Sequence, residues 1–483
     1  MHLAVVQRIL GLLLMLFSAS MLPPIAVSWF YNDGSMLAFI EGFAVTLMAG
    51  TLIWLPVRHD KRDLRPRDGF IVVAAFWVVL GSFGAAPLLF STEPVMTFTE
   101  AVFESISGLT TTGATVLSGL DGLPKSILYY RQQLQWFGGM GIIVLAVAVL
   151  PMLGVGGMQL YRAETPGPVK DTKLTPRITE TAKTLWYIYL GLTLACAISY
   201  ALAGMDPFDA LCHSFSTLAT GGFSTHDASL GYFNSRRIDL IAVFFMFLAG
   251  VNFSLHFMAW RTNSLRHYVE DPEFRAYFLI IAAALALVLF GLYFTGEYAS
   301  LPAALTQGIF QIVSIITTTG FLTTDFSVWP GALPVLLLFT SFVGGCAGST
   351  GGGMKVIRCL LLYKQGVREV HRLVHPSAEV PVKLGSMPVP QRVIDAVWGY
   401  FAVYIVLFTL MMLVVLATGV DQITAFSAIA TSLNNTGPGL GDVTTSFSSL
   451  NDISKWVCIG AMLLGRLEIF TLLVLVSPTF WRL

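Results

Sequence analysis

Apolar residues in this chain gather into long runs separated by short polar stretches, and a helix that crosses a bilayer needs roughly 20 mostly apolar residues. Runs at 9–32 and 42–57 come first, the second reaching spanning length with its flanks, and a charged loop follows at 59–68. Beyond it one pattern occurs four times: an apolar span, a short amphipathic segment, a small polar run ending in glycine, and a second apolar span. The spans pair as 70–90 with 127–153, 185–203 with 240–258, 276–296 with 333–361, and 396–420 with 456–476. Between them lie segments 97–109, 206–218, 301–316 and 421–433, too short to cross a membrane. The pattern predicts an all-α polytopic membrane protein. Two N-terminal transmembrane helices (1–68) precede four tandem helix, pore-loop, helix repeats at 69–161, 162–261, 262–365 and 366–483, set around one pseudo-four-fold pore.

The short segments begin as helices do. Thr97 with Glu100 makes a capping-box pattern, Asp206 precedes Pro207 at a first helical position, and Asp421 is a third cap residue. Each of the three stands 16 residues before a glycine. In the third repeat Ala304 holds that place, so the helix start moves back to Ser300 with Pro302, which predicts an extra turn.

The glycine runs are Thr110-Thr111-Thr112-Gly113-Ala114, Leu218-Ala219-Thr220-Gly221-Gly222-Phe223, Ile316-Thr317-Thr318-Thr319-Gly320-Phe321 and Asn434-Asn435-Thr436-Gly437-Pro438. Their glycines Gly113, Gly222, Gly320 and Gly437 are 109, 98 and 117 residues apart. A single such run marks a turn, whereas four in one chain suggest an ion-sized, four-fold arrangement. A helix that enters hydrocarbon halfway and returns as irregular backbone is tolerated only when buried in protein or lining a water-filled cavity. Four converging would enclose a pore, with the negative ends of their helix dipoles favouring a cation. Threonine and glycine then offer hydroxyl and carbonyl oxygens on a backbone clear of bulky side chains.

Composition sharpens this picture. The 483 residues are 55% hydrophobic and only 12% charged, more apolar than a soluble globule of this size, and the lipid bilayer is therefore the first partner. Net charge is zero with no long basic or acidic block, which argues against nucleic acid as a partner. The run at 9–32 lacks a small-residue cleavage site and reads as a retained helix. The five cysteines have no metal-ligand spacing and read as small apolar packing residues. Basic residues set the orientation. The loops 58–69, 162–183, 261–275 and 355–392 carry 5, 5, 3 and 7 Lys or Arg, against Lys125, Arg131, Arg236, Arg237 and Lys455 on the opposite side. Both termini and the basic loops are expected in the cytoplasm, with the glycine runs toward the outside.

These features resemble the Trk/Ktr/HKT superfamily of potassium transport proteins over nearly the whole chain. The most specific elements are the filters Thr-Thr-Thr-Gly-Ala and Thr-Thr-Thr-Gly-Phe, the Asn-Asn-Thr-Gly-Pro-Gly of the fourth repeat, a glycine-rich break in the third return helix, and Gly465-Arg466-Leu467-Glu468. The resemblance implies that carbonyls around Gly113, Gly222, Gly320 and Gly437 coordinate potassium. Thr111, Thr112, Thr220, Gly221, Thr318, Thr319, Asn435 and Thr436 are the implied coordinating positions. One glycine per filter, without a Gly-Tyr-Gly signature, predicts potassium preference with some rubidium or sodium leak. The resemblance also implies a bacterial inner-membrane location, a homodimer, and a cytosolic TrkA-like nucleotide-binding regulatory subunit docked on the basic loop 358–392. This chain has no GxGxxG after a strand, so the nucleotide would bind only to that partner.

Two further features carry chemistry. The third return helix contains Gly344, Gly345, Gly348, Gly351, Gly352 and Gly353, and glycine at about 1 kcal/mol each relative to alanine should break a helix there. The alternative, close packing through small residues, wants glycine on one helical face and not in clusters. The resemblance makes this stretch a flexible loop beneath the filter that blocks the pore when closed. Arg466 sits in an otherwise uncharged segment, where a charge costs at least about 2.5–3.5 kcal/mol. Pairing with Glu468 or snorkelling would explain it structurally; the resemblance makes it part of the gate. Glu104 and His213, each nine residues before a filter glycine, are matched by Gln311 and Ala428 and so read as packing or hydrogen-bonding groups, not a shared ligand set. An enzyme would need grouped nucleophiles, bases or metal ligands, and none is visible. The nearer alternative to a channel is a symporter coupled to H+ or Na+.

Overall fold

The structure is a computed structural model that describes residues 2–60, 62, 66–139, 141, 178–298, 300–378, 380–467 and 469–482. Two N-terminal stretches, Leu3–Ser18 continuing through a tight turn into Leu22–Tyr31, and Met36–Trp54, form an antiparallel hairpin. Met21 and Phe39 bury in the core that this hairpin shares with the first and fourth repeats. Both elements start nearer the N-terminus than the apolar runs predicted.

In the four repeats, outer helices run Pro66–Gly84 (with Ala86–Phe90), Ile178–Leu202, Pro272–Thr295 and Gln391–Ala417. The third of these exposes Phe278, Leu279, Leu287, Phe290 and Phe294, a face suited to lipid and not to water. The pore helices are Phe98–Leu109, Pro207–Ala219, Leu301–Ile316 and Gln422–Asn434. Their starts follow the caps read from sequence. Thr97 and Glu100 form a complete capping box, Asp206 accepts from the Phe208 N–H, and Asp421 from those of Ile423 and Thr424. The third pore helix has 16 residues against 12, 13 and 13, so the extra turn is present.

Return helices begin at Lys125–Gly139, Arg236–Ala249, Leu333–Val343 and Asp452–Arg466. Each packs against its own pore helix and the pore helix of the next repeat, and the fourth closes the circle on the first pore helix. This cyclic packing gives the four-fold arrangement. The part of the first return helix expected beyond 141, and most of the loop 162–183, lie outside the described residues. By length and composition six described helices can cross a membrane, or seven counting one bent pair, because the later return helices are interrupted.

One interruption departs from the expected continuous span 240–258. Arg236–Ala249 turns by 94° into Phe253–Thr262. Asn252 caps the second piece, its Oδ1 accepting from the Ser254 N–H at 2.9 Å, and the freed Gly250 carbonyl accepts from the Cys346 N–H at 2.8 Å. The break therefore exchanges helical hydrogen bonds for bonds to another repeat.

Arg131 also departs from expectation. Tallied with the loop charges although it falls inside the predicted span 127–153, it is fully buried within the first return helix, where Nε bonds Glu104 at 2.7 Å. Its other nitrogens donate to the Ser224 carbonyl at 3.2 Å and Thr115 Oγ1 at 3.1 Å, and it lies over the Phe223 ring. Glu104 in turn accepts from Thr115 Oγ1 and the Val116 N–H at 3.0 Å, which makes it the hydrogen-bonding group its position suggested. Together they tie the strands following the first two glycine runs to one pore helix. Past the second glycine run His226 bridges Asp121 of the first repeat and Asp209 of the second, with Tyr232 stacked on its ring at 3.5 Å. Burial opposes the charged imidazole, but hydrogen bonds to Asp209 and Asp121 outweigh it and leave the His226 pKa raised.

Removing one partner of the buried pair strands a charge, so Arg131→Met is expected to cost about 3–5 kcal/mol of stability. Adding Glu104→Leu should recover much of that loss, read as thermal unfolding in detergent. Because the folded pKa of His226 is raised, its bridge contributes fully below the ordinary imidazole value of about 6.5 and is lost as pH rises through the folded value. The ring resonances of His226 should titrate above a free imidazole, and Asp121→Asn should move that midpoint down; an unmoved midpoint would refute the bridge.

Candidate functional site: a four-fold ring of carbonyls

The end of each pore helix is built the same way. After the last turn comes a residue in left-handed conformation: Thr111 at φ 55°, Thr220 at 52°, Thr318 at 59° and Asn435 at 55°. The N–H of that residue returns to the carbonyl three residues back, at 3.0, 3.2, 3.0 and 3.3 Å for Thr111, Thr220, Thr318 and Asn435. The next N–H, of Thr112, Gly221, Thr319 and Thr436, returns five residues back at 2.8, 2.8, 2.8 and 2.9 Å. These paired bonds are the Schellman arrangement, which satisfies carbonyls a helix end would otherwise leave bare. Glycine is the usual occupant of the left-handed position. Three β-branched threonines there, at about 1–2 kcal/mol of strain each, mark a place held by its surroundings.

One residue further on, Gly113, Gly222, Gly320 and Gly437 are left-handed as well, with φ between 77° and 91°. Here glycine is required by both conformation and space. A Cβ on Gly113 would lie 2.0 Å from the Gly221 carbonyl oxygen, one on Gly222 2.1 Å from that of Thr319, and one on Gly320 1.9 Å from that of Thr436. A Cβ on Gly437 would lie 2.7 Å from the carbonyl oxygen of Thr112. The contacts run from repeat 1 to 2, 2 to 3, 3 to 4 and back to 1. All twelve positions predicted from sequence thus come together, and the carbonyls of Thr112, Gly221, Thr319 and Thr436 stand at equivalent places in a closed ring.

Side chains behind the ring link the repeats. Thr112 Oγ1 and Thr110 Oγ1 are 2.8 Å apart, as are those of Thr317 and Thr319. Asn435 Nδ2 donates to Thr112 Oγ1 at 2.9 Å and to the Met462 carbonyl at 3.0 Å, joining the fourth repeat to the first. The ligands available are neutral oxygens; among the described residues no group of His, Cys, Asp or Glu could hold a metal ion. Neutral oxygen rings suit a weakly held, dehydrated monovalent cation.

The glycine-rich stretch breaks the third return helix as its composition predicted. Helix ends at Val343 and resumes as Val356–Val374. Gly344, Gly348 and Gly353 adopt positive φ. The intervening loop lies against the pore-helix ends of three repeats. Thr220 Oγ1 donates to Thr350 Oγ1 at 3.3 Å, the Gly352 N–H to Thr318 Oγ1 at 2.6 Å, and the Gly353 N–H to the Asn434 carbonyl at 3.0 Å. Gly351 passes so near that a Cβ would be 2.8 Å from the Thr317 carbonyl oxygen. The Gly345 carbonyl closes the loop by accepting from the Val356 N–H at 3.1 Å, and the Gly348 carbonyl accepts from the Phe253 N–H at 3.0 Å, just past the bend in the second return helix.

Arg466 joins this loop to the first repeat. It donates to the Thr350 carbonyl at 2.9 Å and to the Gly138 carbonyl, and lies over Trp77 with 5.5 Å to the ring centroid. Its expected alternative partner, Glu468, lies outside the described residues. Sequence reasoning missed Glu273. This buried carboxylate, two residues after the helix cap Asp271, accepts from the Ala347 N–H at 2.7 Å and the Ile357 N–H at 3.1 Å, and so clamps both flanks of the loop. The Asp271-Pro272 pair that announces the helix start was the signal nearby. Gln135 was missed as well; its carboxamide donates to the Gly221 carbonyl at 2.6 Å.

Comparison with known proteins agrees with this architecture. The TrkH family, described as "Cation transport protein", matches residues 35–483. The chain is similar to the Trk system potassium uptake protein TrkH of Halomonas elongata, 57% identical over 482 residues and the full length of both chains. It is also similar to the protein of the same name from Escherichia coli K12, 55% identical with both chains fully covered. Among solved structures, the crystal structure of the potassium transporter TrkH from Vibrio parahaemolyticus superposes with a TM-score of 0.91 at 55% identity, covering all of both chains. With a carbonyl ring contributed by four repeats, and a match over this length and identity, the chain belongs to the TrkH family of cation transport proteins.

Proposed function

We propose that the chain is a gated, potassium-selective uptake pore of the bacterial inner membrane, driven by membrane potential. The single observation carrying this reading is the closed ring in which each filter glycine abuts the carbonyl of the next repeat. Such a ring can replace a hydration shell. A potential of 100 mV supplies about 2.3 kcal/mol per charge for entry, with no second ion needed. Both relatives named above are potassium uptake proteins, which supports potassium as the cargo. Rubidium and some sodium would pass too, because each strand contributes one filter glycine.

The loop 344–355, Arg466 and Glu273 form the gate in this reading. Arg466 places positive charge beside the path while pinning the loop to the first repeat. Opening requires the loop to leave its bonds to Thr318 and Asn434. Control would come from a cytosolic TrkA-like nucleotide-binding ring docked on the basic stretch 358–392, with the pore protein present as a homodimer and both termini in the cytoplasm. The second reading, a symporter coupled to H+ or Na+, draws on Glu273 as a buried carboxylate in a spanning helix. Glu273, however, already accepts two backbone N–H bonds at the foot of the loop, which suits a latch better than a coupling site.

Flux into liposomes holding the purified chain should follow the potassium gradient and ignore a proton ionophore; collapse of flux with the ionophore would establish coupling instead. Gly320→Ser places a side chain against the Thr436 carbonyl and should lower the potassium-to-sodium flux ratio about ten-fold or more, the factor for roughly 1.4 kcal/mol of lost site fit. Arg466→Ala removes charge-assisted bonds worth about 1.5–3 kcal/mol each and should raise flux about ten-fold or more, and shortening 344–353 should raise it in the same direction. Unchanged flux in both would remove the gate.

A further inference from the structure

We propose that Gln135 is a positioning residue of the filter, standing in for a side chain that the second repeat lacks and setting the discrimination between potassium and sodium. The inference rests on the reading of the ring as the ion path. Three of the four ring carbonyls belong to threonines, Thr112, Thr319 and Thr436, whereas the second repeat has Gly221. Gly221 does not need glycine for its conformation, since its φ lies outside the left-handed region. It needs glycine for space. A Cβ there would fall 2.4 Å from Cδ, 2.5 Å from Oε1 and 2.8 Å from Nε2 of Gln135. The volume that a threonine side chain fills in the other repeats is filled here by a carboxamide delivered from the first return helix.

That carboxamide is fully buried and both its polar atoms are engaged with the filter strand. Nε2 donates to the Gly221 carbonyl at 2.6 Å, and Oε1 accepts from the Phe223 N–H at 3.2 Å. The two bonds bracket the filter glycine Gly222. One turn earlier on the same helix face, Gln132 donates to the Phe223 carbonyl at 3.3 Å. The second filter strand is thus held by side chains of the first repeat, whereas the neighbouring strands are held through their own threonines.

The consequence lies in one oxygen of the four. A carbonyl has two lone pairs, so the Gly221 oxygen can accept from Gln135 and still face a cation, but its direction is fixed by the amide. Among neutral oxygens, selection against the smaller ion requires that the ring resist contraction. A glycine carbonyl without this bond would be the most mobile of the four, because it has no side chain to anchor it. Gln135 removes that freedom.

The test is the potassium-to-sodium flux ratio of the full chain in liposomes, with Gly320→Ser run beside it. Gln135→Met keeps the length of the side chain and removes both polar atoms; it should lower the ratio about five-fold, the factor for the one of its two bonds that reaches a ring oxygen. Gln135→Ala should do the same, and Gly221→Thr alone should lower the ratio by collision with the amide. The pair Gln135→Ala with Gly221→Thr recreates the arrangement of the other repeats and should restore most of the ratio. That rescue is something a general loss of packing would not produce, and it stays informative even where one single variant fails to fold. An unchanged ratio in Gln135→Met while Gly320→Ser changes it, or a double variant no better than the worse single, would overturn the assignment and leave the ring intact as the ion path. An unchanged ratio in Gly320→Ser would instead overturn the ring reading, and this inference with it.

Discussion

Everything in this structure depends on how four helices are allowed to end inside the membrane. A chain that stops being helical in hydrocarbon exposes backbone groups that lipid cannot satisfy. Each pore helix meets this with the same pair of returning N–H bonds and a left-handed Thr or Asn. That turn aims the following peptides inward, and it makes a glycine necessary two residues later. The carbonyl ring is therefore the continuation of a helix cap, repeated four times, and it closes because each glycine leaves room for the carbonyl of its neighbour.

The surroundings are arranged to hold this strained backbone. The return helices wedge between successive pore helices, the Arg131 and Glu104 pair fixes the strands leaving the first two glycine runs, and Asn435 crosses from the fourth repeat to the first. The loop 344–355 uses the same surface from the other end. Its contacts fall on Thr220, Thr318 and Asn434, the residues at the helix ends, and not on the outer strands. The loop takes up hydrogen bonds that the pore-helix ends offer beside the carbonyl ring, which is why loop and ring meet through glycine, threonine and asparagine.

Much of this was legible in the sequence because it is local. The caps Thr97, Asp206 and Asp421, the extra turn after Ser300, the four glycine runs and the clustered glycines from Gly344 each declare themselves within a few residues. What was not legible depends on partners from other repeats. Gln135 looks like an ordinary polar residue until Gly221 is beside it, and Glu273 looks like a second acidic residue at a helix start until Ala347 and Ile357 approach. Arg131 counted as a loop charge because sequence places it near a span end, while only the fold reveals Glu104 across from it. The bend after Ala249 escaped notice for a related reason: a lone Gly-Val-Asn is weak evidence, and the bonds that stabilise the break come from Cys346 and Thr350.

If the ring is the ion path, a partly dehydrated monovalent cation rests amid the Thr112, Gly221, Thr319 and Thr436 carbonyls. Anomalous scattering from crystals of the chain soaked in rubidium or thallium tests it most directly. A peak is expected on the four-fold axis amid those oxygens, lost in Gly320→Ser. Peaks confined to carboxylates such as Glu273, with none in the ring, would contradict it.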